Sequence, residues 1–199
     1  MRQTRRGRIC KQTQKKEINM SSKRVAVYGG ASPRPGERAY QEAEHLGCLL
    51  GAAGYTVLNG GYIGTMEAVS KGAAEAGGQV IGVTCKEIEK WRRVGVNPYV
   101  HHELCCQTLS ERLDVLIHDC DAAIALPGGI GTLAEILYLW NHLIIQAVPP
   151  KPFILIGDSW KVILETLFIQ CDGYIPAAQQ GLLQMVPDAD SAIRILLDA

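Results

Sequence analysis

The sequence predicts a doubly wound, Rossmann-like α/β fold, one parallel sheet with helices on both faces. Three observations predict it. From Lys23 onward, short apolar runs alternate with helix-length segments, which implies parallel strands joined by right-handed crossovers. The runs are apolar without a period of two, as expected of strands covered on both faces. Three of them end in glycine-rich turns that open helices, and sheets of this kind bind ligands beyond the carboxyl ends of their strands. The expected organisation is a basic tail over residues 1–22 and a single domain over residues 23–199.

The elements follow in order. Arg24 to Tyr28 is a buried-strand run closed by Gly29-Gly30, and Glu37 to Ala53 a helix with Leu46, Leu49 and Leu50 at helical spacing. A second strand over residues 54–59 ends in Gly60-Gly61. A helix then runs from Gly64 to Ala76, closed by Gly77-Gly78, and a third strand from Gln79 to Thr84. Residues 85–98 read as irregular or a short helix, followed by an extended stretch from Tyr99 to Leu104 and a helix from Leu109 to Asp119. Asp121 to Leu126 is a strand ending at Pro127-Gly128-Gly129, and Thr132 to Gln146 a long helix. Pro152 to Ile156 (strand), Trp160 to Gln170 (helix), Leu183 to Val186 (strand) and a helix from about Ser191 complete the pattern.

Composition narrows the function. Of 199 residues, 47% are hydrophobic and 20% charged, which marks a globular chain. Lysine plus arginine and aspartate plus glutamate both total 20. Seven of the cations fall in residues 1–20 with one anion, Glu17, so the remainder carries thirteen cations and nineteen anions. An acidic body argues against nucleic acid as a partner, but not against small phosphorylated ligands held by local dipoles. Residues 1–20 lack the apolar stretch of a secretory signal. They read as a disordered tail, an extension before a start at Met20, or an arginine-rich targeting segment. The seven cysteines are odd in number and form no CxxC, which points to a reducing, cytoplasmic setting. No membrane span is expected, since no run of 18 apolar residues occurs.

The glycine turns carry the chemistry. They are Gly29-Gly30-Ala31-Ser32, Gly60-Gly61-Tyr62-Ile63-Gly64-Thr65 and Pro127-Gly128-Gly129-Ile130-Gly131-Thr132. Glycine lets a backbone approach an anion, and the free N–H groups of a helix start point at it. Gly29, Ser32, Gly60, Gly61, Gly64, Thr65, Gly128, Gly129, Gly131 and Thr132 are therefore the candidate phosphate- or nucleotide-binding residues. The alternative is tight packing between strand and helix. GxGxxG, a Walker lysine and a ribose-binding acid are all missing, which excludes the usual dinucleotide and P-loop readings.

Glu135 is the one charged side chain between Asp121 and Lys151. It reads either as the partner of Thr132 in a capping box or as a catalytic carboxylate in an apolar cleft. Thr108-Leu109-Ser110-Glu111 is a second possible capping box. Arg112 then sits near a helix start, where a cation is unfavourable, and it calls for Glu111, Glu67 or a ligand phosphate as partner. His101, His102, Glu103, Cys105 and Cys106 resemble metal ligands by type. In an extended segment, however, neighbours face opposite ways, so no metal site is expected.

Pro127-Gly128-Gly129-Ile130-Gly131-Thr132-Leu133-Ala134-Glu135 matches PGGxGTxxE, the motif of the LONELY GUY (LOG), or lysine-decarboxylase-like, family. Gly60 to Met66 resembles the family's second glycine loop, GGGxxGLM, and Ser110-Glu111-Arg112 its HERK segment. The resemblance covers about residues 23–186. It implies a Rossmann-like homodimer that hydrolyses nucleoside 5′-monophosphates, cytokinin riboside monophosphates among them, to free base and ribose 5-phosphate. It also implies Glu135 and Arg112 as the catalytic pair, with no required cofactor. Ser110 and Leu113 depart from HERK, Glu67 from the second loop, and Tyr28 to Ser32 from the common CGS start. Residues 64–73 look more like a branch that includes molybdenum cofactor carrier proteins, so the alternative is a non-catalytic carrier with that cofactor as bound ligand. The long helix, apolar around most of its girth, calls for cover on two sides: the sheet and either a partner subunit, in a homodimer or higher homo-oligomer, or the C-terminal helices.

Overall fold

A computed structural model describes residues 22–199. The basic segment, apart from Ser22, lies outside the described residues. Within them the chain runs β1 (Arg24–Tyr28), α1 (Arg38–Ala52), β2 (Thr56–Asn59), α2 (Thr65–Glu75), β3 (Gln79–Cys85), α3 (Lys86–Trp91), β4 (His102–Cys106) and α4 (Leu109–His118). It continues through β5 (Ala122–Ala125), α5 (Ile130–Ile144), β6 (Phe153–Ile156), α6 (Asp158–Gln170), α7 (Ala177–Gln180), β7 (Gln184–Val186) and α8 (Ala189–Leu197).

The strands form one seven-stranded sheet in the order β4-β3-β2-β1-β5-β6-β7. Every pairing is parallel. The fold is thus the Rossmann-like α/β architecture expected. Tyr40, Leu46, Leu50, Val69 and Ile193 pack on one face, and Leu116, Ile117, Ile136, Leu139, Trp140 and Trp160 on the other. β1, β2, β5 and β6 are buried almost throughout, which accounts for their unbroken apolar sequences.

β4 departs from that rule. It lies at the sheet edge, and its three central residues, Glu103, Leu104 and Cys105, are exposed. Its polar composition is that of an edge strand. The four-residue helix α7 had no apolar period to announce it.

Strand order reverses at β1, which pairs with β2 on one side and β5 on the other. That reversal opens a crevice at the carboxyl ends of β1 and β5, the customary ligand position of such sheets. The loops leaving these two strands are the first and third glycine turns. Gly30 N–H donates to the carbonyl of Pro127 at 3.3 Å and ties them together.

Candidate active site between the β1 and β5 loops

A cleft of about 340 Å³ occupies this crevice, within the size range of small-molecule sites. The first loop contributes Gly29 through Ser32, and α5 contributes Gly129 through Thr132 together with Glu135. Arg112 enters from α4 and Tyr62 and Met66 from the second glycine turn and α2. Ile88, Trp91, Arg92 and Val94 complete the lining from α3 and the segment that follows.

Arg112 and Glu135 form a buried ion pair. Arg112 Nη1 donates to Glu135 Oε1 at 3.2 Å, and the residues are 6% and 7% exposed. Arg112 Nε also donates to the Val83 carbonyl at 2.8 Å, which fixes the guanidinium at the end of β3. Burial pushes the Glu135 carboxyl above its ordinary range, against the opposing pull of Arg112. Oε2 of Glu135 makes no hydrogen bond within the described residues, so that lone pair is available to whatever enters the cleft.

This geometry removes the capping-box reading of Glu135. The helix begins at Ile130, two residues before the sequence-based boundary, because extended Gly129 serves as its N-cap. Thr132 therefore lies inside the first turn and caps nothing, and Glu135 is beyond reach of the N-cap amide. The capping box at Thr108 is real: Thr108 accepts from Glu111 N–H at 3.2 Å, and Glu111 Oε2 accepts from Thr108 N–H at 3.4 Å. The partner of Arg112 is Glu135, not Glu111 or Glu67 as its position near the helix start suggested. The two residues stand 23 apart in sequence, and only the fold brings them together.

The glycines divide by role. Gly129 and Gly131 have open space where a Cβ would project. The N-cap of α5 makes no side-chain bond, and its first turn holds no acidic residue, leaving N–H groups and a positive helix end open to an anion. Gly29 and Ser32 also line the cleft.

Gly60, Gly61, Gly64, Thr65 and Gly128 are not among the lining residues; they support it. A Cβ at Gly60 would stand 2.0 Å from Arg112 Nη2, and one at Gly128 2.1 Å from Thr132 Oγ1. Gly64, at φ +77°, packs on Gly30 and Ala31. Thr65 donates from both N–H and Oγ1 to the Gly30 carbonyl, at 2.9 and 3.0 Å, holding the first loop in place. Asn59 and Asn97 bond the backbone of the second turn and Ser70, in a fully buried polar network. Apart from Tyr62, which lines the cleft, the second turn braces it, in line with the packing alternative in the sequence reading.

This division has a measurable consequence. Gly131→Ala should leave melting temperature unchanged or slightly raised, since nothing among the described residues meets the new methyl and alanine favours a helix, while Gly129→Ala should lower it slightly, because alanine is a poor N-cap. Both should weaken binding of a phosphorylated ligand. Gly60→Ala should lower melting temperature and displace Arg112. Thermal melts paired with ligand titration of the three variants check this.

Sequence reasoning missed the lining from residues 88–94. Their only signal was an apolar and basic run, Trp91-Arg92-Arg93-Val94, in a segment with no period.

The candidate metal ligands are only partly separated, since alternation leaves Glu103 and Cys105 on the same side of β4. Among the described residues, Glu103 and Cys105 come within 4.8 Å of each other and of Glu89, an α3 residue. The carboxylates there already have partners: Thr84 Oγ1 donates to Glu103 at 2.6 Å and Lys86 Nζ to Glu89 at 2.8 Å. His101 lies apart from them, accepting from the Val80 N–H at 3.1 Å.

Residues 66–196 match the family described as possible lysine decarboxylase. A cytokinin riboside 5′-monophosphate phosphoribohydrolase of Mycobacterium marinum is 35% identical over 128 residues, 59% of this chain and 62% of that protein. The enzyme of the same name from Rhodococcoides fascians is 28% identical over 181 residues, covering 86% and 87%. Among solved structures, the molybdenum cofactor binding protein of Rippkaea orientalis superposes with a TM-score of 0.70 at 23% identity, covering 90% of this chain and 98% of that one. That likeness is one of fold.

Proposed function

This chain belongs to the LOG, or possible lysine decarboxylase, family, and on that premise we propose that it is a nucleoside 5′-monophosphate phosphoribohydrolase. The carrying observation is the buried Arg112–Glu135 pair edging a cleft beside the open start of α5. Relatives named cytokinin riboside 5′-monophosphate phosphoribohydrolase support the reaction. The substrate is a cytokinin riboside monophosphate or an AMP-like nucleotide.

Each group has a task. The N–H groups at Ile130 and Gly131, with Gly129 and Thr132, hold the 5′-phosphate. The C1′–N bond breaks with its electron pair leaving on the base, and cationic character develops on the ribose. The Glu135 carboxylate stabilises that charge and accepts a proton from the water that adds to C1′; the departing base takes up a proton in turn, so that neutral free base is released and the carboxylate is regenerated when its proton is given back to base or solvent. Arg112 orients the carboxylate and offers a guanidinium to ribose or phosphate oxygens. No cofactor enters the scheme. The test compares AMP with adenosine: adenine and ribose 5-phosphate should appear in equal amounts from AMP, with adenosine turned over far more slowly. Equal rates on the two would remove the phosphate-binding role of the α5 start.

The protein acts as a homodimer in this reading. Ile136, Leu139, Trp140 and Leu143 of α5 are buried in the core. The C-terminal region covers part of the helix, with Trp140 donating to the Gln179 carbonyl at 2.8 Å. Leu137 of α5, Ile145 just after it, and Val162, Ile163 and Ile169 of α6 remain exposed, apolar side chains that a partner subunit would cover. Sedimentation at micromolar concentration should show a dimer; monomer alone would contradict it. A reducing, cytoplasmic setting agrees with the free thiols at Cys48, Cys85, Cys105, Cys106, Cys120 and Cys171. Among the described residues no helix is long and apolar enough to cross a membrane.

A further inference from the structure

The phosphate and ribose ends of the cleft have polar groups to meet them; the α3 side is apolar and aromatic apart from one arginine. Its lining is Ile88, Trp91, Arg92 and Val94. Trp91 is 77% exposed although it belongs to the cleft, while the chain's other two tryptophans, Trp140 and Trp160, are 5% and 2% exposed. An indole left this open at the edge of a pocket lacks the burial that usually accounts for a tryptophan. The Arg92 guanidinium lies 4.9 Å from the Trp91 ring centroid, within cation–π range. The guanidinium of Arg92 thus lies over the indole of Trp91. A flat heteroaromatic ring is the ligand chemistry that such a pair accepts, by stacking on indole and guanidinium faces.

We infer that Trp91, with Arg92 beside it, is the platform on which the leaving base stacks, so that this segment sets the ring specificity of the site. The inference rests on the nucleotide reading above and adds to it the residue that recognises the base. Stacking reads a π-face rather than a hydrogen-bond pattern, so purine monophosphates with substituted exocyclic amines should be accepted alongside AMP. Ile88 and Val94 supply apolar surface in the same part of the cleft for such substituents.

Trp91 is the exposed one of three tryptophans, so the part of the emission lost in Trp91→Leu reports on this residue. Adding AMP should quench the wild-type emission of Trp91, and adding ribose 5-phosphate should leave it unchanged while still competing with AMP. Trp91→Leu should weaken AMP binding about 5- to 150-fold, the range of base–aromatic stacking, with ribose 5-phosphate affinity unchanged. Trp91→Phe should restore most of the loss. If Trp91→Leu weakens ribose 5-phosphate as much as AMP, the residue shapes the site as a whole and the stacking role is overturned. If wild type binds ribose 5-phosphate and AMP equally well, the base has no subsite here, and the platform falls while the phosphate site stands. If wild type binds neither, the nucleotide reading falls and the platform with it.

Discussion

Glu135→Gln is expected to slow turnover about 10²–10³-fold, as loss of one charge-stabilising group does at other active sites, while ligand affinity holds. Glutamine keeps the size of the side chain and an acceptor for Arg112 but removes the charge. The phosphate contacts belong to the start of α5 and do not depend on it. The pH profile gives a second readout. Burial raises the Glu135 carboxyl above its ordinary range, and catalysis needs the ionised form. Activity should therefore rise with pH through an acid limb displaced above the usual carboxylate range, and Glu135→Gln should lack that limb. Stability runs the other way. The folded state holds the Glu135 proton more tightly than the unfolded state, so this residue's contribution falls as pH rises from the unfolded value through the folded one. Melts and rates across pH, in wild type and variant, measure both signs.

Arg112→Ala should cost more in the folded state. It removes the one ion-pair partner that Glu135 has among the described residues and leaves a buried carboxylate uncompensated. Breaking a buried pair from one side typically costs about 3–5 kcal/mol. It also leaves the Val83 carbonyl without its donor. Turnover and ligand affinity should both drop. The double variant Arg112→Ala/Glu135→Gln should regain much of the stability and none of the activity, because the stranded charge is gone. A double variant as unstable as Arg112→Ala alone would mean that the Arg112 side chain supports the fold through packing and not through its charge.

The pattern that survived folding best was the period of the chain. β1 falls on the residues expected of it, because Arg24 to Tyr28 lies in the middle of the sheet, where burial on both faces forces a continuous apolar run. β4 was the least legible strand, since an edge position leaves Glu103 and Cys105 in solvent and erases that signature. In the site, Glu135 stood out as a single charge in an apolar stretch. Its partner Arg112 came only through the family resemblance, because an ion pair spanning α4 and α5 leaves no local spacing to read. The glycine loops were visible as motifs, yet motif spacing could not separate Gly129 and Gly131, which face open space, from Gly60 and Gly128, which make room for Arg112 and Thr132. That distinction depends on what each missing Cβ would meet. Trp91 was hidden for the opposite reason: α3 is six residues long and carries no buried residue, so nothing periodic marked the segment as part of a cleft.

The most direct test is a product balance on AMP with wild type and Glu135→Gln side by side. Wild type should release adenine and ribose 5-phosphate in a one-to-one ratio over many turnovers, and Glu135→Gln should bind AMP equally well yet release both at least a hundredfold more slowly, on the order of the loss expected for one stabilising group. Wild type that binds AMP or a phosphorylated pterin tightly and releases no base would contradict the account and make the protein a carrier; Glu135→Gln that turns over at the wild-type rate would contradict the role of the carboxylate.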